Sequence, residues 1–489
     1  MKFILYNKDD TRNNLMEDMM DTIKQLWITL RPYMSEEYDF QYADVEMTLE
    51  SPQFSAGDKL ADLWKMVAGV PGAQFTEEGL CAFDDEGALS LSETVEKDVT
   101  GFDKRVWRVK RETVGNVRFS YCFLPRDLTG VDRCQPYFDT IQEKNGALIP
   151  GVASLAAVEE GKYHIHFIWD KSKMPEDADV AAIKGCGNLD YIGTPQDYTF
   201  SLYLAGKIKR VSDESGKRNI YWLDENLPDQ EKVTRQLPTL LSAMCEFFGD
   251  EDLAYSVFFR KEPFSISNGG TAFDGGFVFG YSDAMPLIME EALNTLAHEI
   301  VHNWPALDEP AGKGPWYSEG TAEFYSVMIP LRRGIAGSEQ AAGWITEKCT
   351  NYYNNPYQSM SCEEAYGKAW EDNQVQRVPY GRGFIYLAET DYLLRKKSGG
   401  KRSLDDLVLL IVERRRAGEK VTVSDWEALI GEELGEEAVE HFRRVMAGDE
   451  VIAADNRWFD GRFSFEKGRY EDIKKGAIEG ALIWRKKED

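Results

Sequence analysis

The chain has 489 residues, enough to bury substantial cores and to form several domains. Hydrophobic content of 43% with 12% aromatic residues excludes a disordered chain. A formal charge of −27 repels phosphate backbones, so nucleic acid is not an expected partner.

No stretch reaches the roughly 18–20 apolar residues that span a bilayer, so no membrane association is expected. The opening MKFILYNKDDTRNN has an apolar run that breaks at Asn7-Lys8-Asp9-Asp10, too short for a signal peptide. The seven cysteines are scattered without CxxC spacing, which fits a reduced, cytoplasmic setting.

Leu15, Met19, Ile23, Leu26 and Leu30 recur at helical spacing and predict an amphipathic helix over 11–34. Residues 35–100 are mixed and acidic, with turn signals at Ser51-Pro52, Pro71-Gly72 and Asp84-Asp85, and the whole of 1–103 carries no assigned role. From 104 the pattern alternates with period two, at Val106–Val109, Val117–Tyr121, Tyr163–Ile168 and Tyr198–Tyr203, which predicts an antiparallel β-rich domain over 104–228. His164 and His166 share one face of such a strand. No acidic or cysteine residue stands at a telling spacing from them, so they read as a structural pair.

A helix is expected over 229–248, then strands at Tyr255–Phe259 and Phe277–Tyr281 flanking the glycine-rich NGGTAFDGG. The next helix should be capped near Asp283, carry Pro286 in its first turn and stop at Trp304 before Pro305. It bears His298-Glu299-Ile300-Val301-His302. Positions i and i+4 lie on one helical face, so both imidazoles can ligate one ion, with Glu299 placed beside it to take a proton from bound water. Catalytic zinc sites use three protein ligands, and no third histidine follows at a suitable distance. The candidate is Glu319, in WYSEGTAEFYS on a second helix expected to end before Pro330. Glu323, one turn on, is placed to hydrogen-bond a ligating histidine from behind.

HEIVHNW followed by WYSEGTAEFYS resembles the gluzincin metallopeptidases, in particular the aminopeptidase N and glycyl aminopeptidase branches. The likeness continues through Val378-Pro379-Tyr380-Gly381-Arg382-Gly383-Phe384, Tyr392–Arg395 and Ser403–Leu407. It implies one zinc ion per chain on His298, His302 and Glu319, Glu299 as general base, Tyr380 as oxyanion donor, and a peptide substrate. Enzymes of this clan carry a glutamate-bearing, glycine-rich strand before the zinc helix. Its backbone binds the substrate and its glutamate holds the free amine. Here Gly275 and Gly276 keep the glycines as substrate-binding candidates, but neither Gly269–Phe273 nor Asp274–Phe279 contains the glutamate.

The expected architecture is α+β and multidomain: a β-rich N-terminal region, a thermolysin-like α+β catalytic domain over 229–400, and a short helical extension over 401–489. That extension should hold helices at 403–415, 423–431 and 436–447, with the aromatic tail in a packing role. The expected activity is peptide hydrolysis by Glu-assisted attack of zinc-bound water, most aminopeptidase-like in kind. Alternatives are an endopeptidase, a non-peptide hydrolase on the same site, or a non-catalytic binding protein.

Overall fold

The computed structural model describes residues 23–487 apart from 68, 73, 76–78, 98–101, 132–135, 265–268, 311–312, 370–371 and 473–475. It is mixed α/β, with several sheets and a helical C-terminal part. Two compact units are distinguished. One comprises the described residues up to Pro238 with Asp252–Glu290, the other Thr239–Glu251 with the described residues from Glu291 onward.

In the first unit, β1 (Lys24–Met34), β2 (Phe40–Leu49), β3 (Val117–Leu124), β4 (Tyr163–Trp169) and β5 (Leu189–Gly193) form one sheet in the order β5-β4-β1-β2-β3, continued by short strands beyond β3. β1 runs parallel to β4, and the other pairs in this order are antiparallel. Leu26, Ile28 and Leu30 of β1 are fully buried alongside Val45, Met47, Phe119, Ile165 and Phe167.

The helix expected over 11–34 is therefore a strand from Lys24 onward, while Leu15 and Met19 lie outside the described residues. Leu26 and Leu30 are four apart, a spacing that keeps one face in a strand as well as in a helix. Ile28 between them, buried on the same face, belongs to the strand pattern. The strand expected at Tyr198–Tyr203 is displaced. Thr194 caps a short helix at Pro195–Thr199, with Asp197 completing the capping box, and the strand begins only at Leu202.

A second sheet of this unit contains β6 (Tyr255–Lys261), β7 (Gly269–Phe273) and β8 (Gly276–Tyr281), with β7 outermost. The glycine-rich stretch thus supplies a strand of its own, antiparallel to β8. Gly275 turns the chain at φ +78°, and a Cβ on Gly276 would lie 2.4 Å from the Ser256 carbonyl oxygen.

The motif helix, α1, runs Met289–Val301, shorter than expected. Asp283 and Pro286 precede it, and the Met289 N–H donates instead to the Asp229 carboxylate at 2.9 Å. Next come α2 (Pro315–Arg332), which continues through Pro330 rather than ending before it, α3 (Ser338–Tyr353) and α4 (Val378–Ser398). Helices at Leu404–Arg416, Val423–Leu434 and Glu436–Ala447 match the expected extension. The chain then departs from a purely helical end, closing in a β-hairpin of Phe463–Asp472 and Gly476–Lys486.

Aromatic packing holds the second unit together. Trp316 of α2 contacts Tyr386 of α4, Trp426 and Phe442 at centroid distances of 5.6, 5.7 and 4.9 Å. Trp458, Phe459, Phe463 and Trp484 are buried, and the Trp484 backbone N–H donates to Thr346 Oγ1 at 2.9 Å, fastening the hairpin to α3. No described helix is long and apolar enough to cross a membrane.

Candidate active site

α1 is buried on more than one face. Leu293, Leu296, Ala297, Ile300 and Val301 are core residues, and Asn294, His298, Glu299 and His302 are each at most 9% exposed. A helix with polar groups on a buried face must find partners for them. Asn294, one turn before His298, donates to the Ser326 carbonyl and hydroxyl at 3.1 Å each, tying α1 to α2. His302 stands just past the last helical residue. There the Asn303 side chain donates to the Ile300 carbonyl at 2.6 Å.

His298 Nε2 and His302 Nε2 are 3.1 Å apart, and each lies 3.3 Å from Glu319 Oε2. Glu319 Oε2 is buried without a hydrogen-bond partner. Zinc bonds of about 2.0–2.1 Å in a tetrahedron place ligand atoms roughly 3.3–3.4 Å apart, so this near-equilateral triangle fits a zinc ion. Two imidazoles and one carboxylate also suit zinc among divalent ions, leaving one position open as in catalytic sites. Burial raises the Glu319 carboxyl, but the two imidazoles outweigh it and hold the group ionised, well below the usual carboxylate range.

Glu323 lies behind His298, its Oε1 3.6 Å from Nδ1, an ion-pair separation rather than a hydrogen bond. It also pairs with Lys348 of α3, itself 8% exposed. Burial raises Glu323, and Lys348 followed by His298 lowers it further still, so the net shift is downward. Sequence reasoning found Glu323 but missed Lys348 and Asn294. A lysine followed by Cys349 and Thr350 on the side of the helix that also carries Trp344 and Ile345 is the signal that was there to read.

Tyr380, in the first turn of α4, lies over His298 with centroids 5.8 Å apart and ring planes within 2°. Burial raises its hydroxyl well above the usual phenol range, helped by the carboxylates of Glu319, Glu299 and Glu323, so Tyr380 stays a donor. α4 can approach α2 because glycines meet at the crossing. A Cβ on Gly320 would lie 2.6 Å from Gly383 Cα, and one on Gly383 would lie 2.0 Å from the Trp316 carbonyl oxygen. The structure thus gathers His298, Glu299, His302, Glu319, Glu323 and Tyr380 within one unit. Gly275 and Gly276 belong to the other, Gly275 at a turn and Gly276 beside the Ser256 carbonyl.

No family model and no curated protein matches the sequence. Solved structures do. An aminopeptidase N family protein from Idiomarina loihiensis superimposes with a TM-score of 0.68 at 13% identity, over 92% of this chain and 80% of that one. The chain has the aminopeptidase N fold. An M1 zinc metallopeptidase from Deinococcus radiodurans, a mutant bound to a Tyr-Ser-Ala substrate, gives 0.53 at 16% identity, over 88% and 95%. Yeast LTA4 hydrolase gives 0.54 at 11% identity, over 89% and 70%.

Proposed function

We propose that this chain is a gluzincin-type zinc metallopeptidase, with a thermolysin-like α+β catalytic domain, that hydrolyses peptide bonds in an aminopeptidase-like manner. The observation that carries the reading is the triangle of His298 Nε2, His302 Nε2 and Glu319 Oε2, with Glu299 on the same helix and Tyr380 over His298. A zinc ion held there would polarise the scissile carbonyl and acidify water.

The chain's own groups do the rest. Glu299 accepts the proton of the attacking water and returns it to the departing amine, from a buried position one residue after the ligand candidate His298. Tyr380 donates its hydroxyl hydrogen to the developing oxyanion. Tyr380→Phe removes that donor while leaving the packing, so kcat should fall about 10²–10³-fold with little change in zinc content. Steady-state kinetics beside metal analysis checks it.

Glu323, anchored by Lys348, sets the orientation and basicity of His298. Glu323→Gln should weaken zinc binding about 10–100-fold, read by competition with a chelator.

Peptides are favoured as substrate because the Deinococcus enzyme of the same fold binds one. β7 is the outer strand of its sheet among the described residues, an edge of the kind that extended peptides pair with. Its residues are Gly269, Gly270, Thr271, Ala272 and Phe273, with no carboxylate to hold a substrate amine. The position of the cut is therefore read directly, by digesting a proteome-derived peptide library and locating the new termini by mass spectrometry. Loss of single N-terminal residues supports the aminopeptidase reading. Internal cuts replace it with an endopeptidase. No cleavage by zinc-loaded protein overturns the peptidase reading. The scattered cysteines, with no CxxC spacing, fit a cytoplasmic setting for this activity.

A further inference from the structure

No acidic residue stands at a telling spacing from His164 and His166 in sequence, but the fold supplies one. β5 pairs antiparallel with β4 so that Asp190 stands opposite His166. Its carboxylate lies between both rings, Oδ1 2.5 Å from His164 Nε2 and Oδ2 2.6 Å from His166 Nδ1. One ligand atom from each of the three residues lies within 4.8 Å of the others. The imidazoles sit on the half-exposed face of β4, between the buried Tyr163, Ile165 and Phe167.

The second ring nitrogen of His166 is already committed. Nε2 is 2.9 Å from Gln25 Oε1 on β1, and the Gln25 amide nitrogen donates to the Ile23 carbonyl, which fixes its oxygen toward the ring. Nε2 therefore carries the proton, and the Nδ1 lone pair faces the Asp190 carboxylate. Two acceptors at 2.6 Å share a proton, and an ion that replaced it would part them to the roughly 3.3 Å that two zinc ligands keep. A ring held by a carbonyl at one nitrogen and open toward a carboxylate at the other is the arrangement that prepares a histidine to ligate. Trp27 stacks on His166 at 5.3 Å and 17°, fixing the ring plane.

We propose that His164, His166 and Asp190 form a second divalent-cation site, suited to zinc, that clips the edge strand β5 to β4. Two neutral imidazoles and one carboxylate suit zinc, and the exposed side of the cluster leaves room for water to complete the coordination. The ion displaces the proton shared by His166 and Asp190 and fastens the outer strand of the sheet through side chains as well as its ladder.

The test is equilibrium dialysis of the full chain against zinc chloride with the metal read by atomic emission. The proteins compared are wild type, His164→Asn/His166→Asn, and His298→Asn/His302→Asn. Two ions per chain in wild type and one in each double variant is the expected result. Wild type matching His164→Asn/His166→Asn overturns the proposal. The catalytic reading fails separately, if His298→Asn/His302→Asn binds as much as wild type. Asp190→Asn covers the case in which the double variant does not fold. It keeps the hydrogen bonding and removes the charge, so it should lose the second ion and the rise in Tm that zinc gives the His298→Asn/His302→Asn protein. An unchanged second ion in Asp190→Asn refutes the site as assigned.

Discussion

Glu299→Gln should lower kcat on a cleaved peptide by about 10²–10⁴-fold while the protein remains folded and keeps zinc on His298, His302 and Glu319. The substitution is close to isosteric, so a buried position only 6% exposed is not repacked. What it removes is a basic oxygen. An amide cannot accept the proton of the attacking water and cannot return one to the leaving amine, so both halves of the reaction lose their shuttle. The ligand triangle does not include Glu299, which predicts unchanged zinc stoichiometry at that site. Activity within a few-fold of wild type, with zinc retained, would sink the assignment of Glu299 as the base. Loss of zinc together with activity would instead mean that Glu299 supports the ligands.

The parts of this site that were legible in the sequence are those whose spacing is set by one helix. His298, Glu299 and His302 needed only the helical repeat, and Glu319 and Glu323 needed only the next one. Tyr380 was visible through the VPYGRGF segment, since nothing in its local spacing points to a site some 80 residues upstream. Lys348 and Asn294 were not visible. Their partners Glu323 and Ser326 sit on another helix, and the meeting of those helices is a property of packing.

The fold shows the same division. The structure has strands at Val106–Val109, Val117–Tyr121 and Tyr163–Ile168, the latter two alternating with one face buried and the first burying both Val106 and Trp107. β1 reads as a helix in sequence because apolar residues four apart satisfy both periods. Asp190 is not legible as the partner of His164 and His166 because strand pairing brings it there. Pairing register is decided by which faces are buried across the sheet, as at β4 against β5. The glycines of NGGTAFDGG suggest a substrate role in sequence, yet Gly275 and Gly276 have local reasons in a positive φ and a close carbonyl.

Gly383→Ala should damage both stability and catalysis, whereas the control Gly343→Ala should damage neither. A methyl at Gly383 would lie 2.0 Å from the Trp316 carbonyl oxygen and 2.7 Å from Gly320 Cα. Both neighbours are backbone, so no side chain can rotate away and the two helices must separate. Overpacking of this kind costs about 1–3 kcal/mol. The consequence for chemistry follows from where the crossing lies. Glu319 is adjacent to Gly320 on α2, and Tyr380 is one turn before Gly383 on α4, so separation moves a ligand away from the proposed oxyanion donor. A misplacement of about 1 Å costs on the order of 10²-fold in rate. kcat should therefore fall much further than the loss of folded protein explains, and KM should change less. Gly343 of α3 is exposed, with nothing within 4 Å of where an alanine methyl would lie, so alanine there should raise stability by about 0.4–1 kcal/mol and leave kcat alone. If Gly383→Ala lowers Tm but the folded fraction turns over at the wild-type rate, the crossing is a packing feature only and does not position Tyr380.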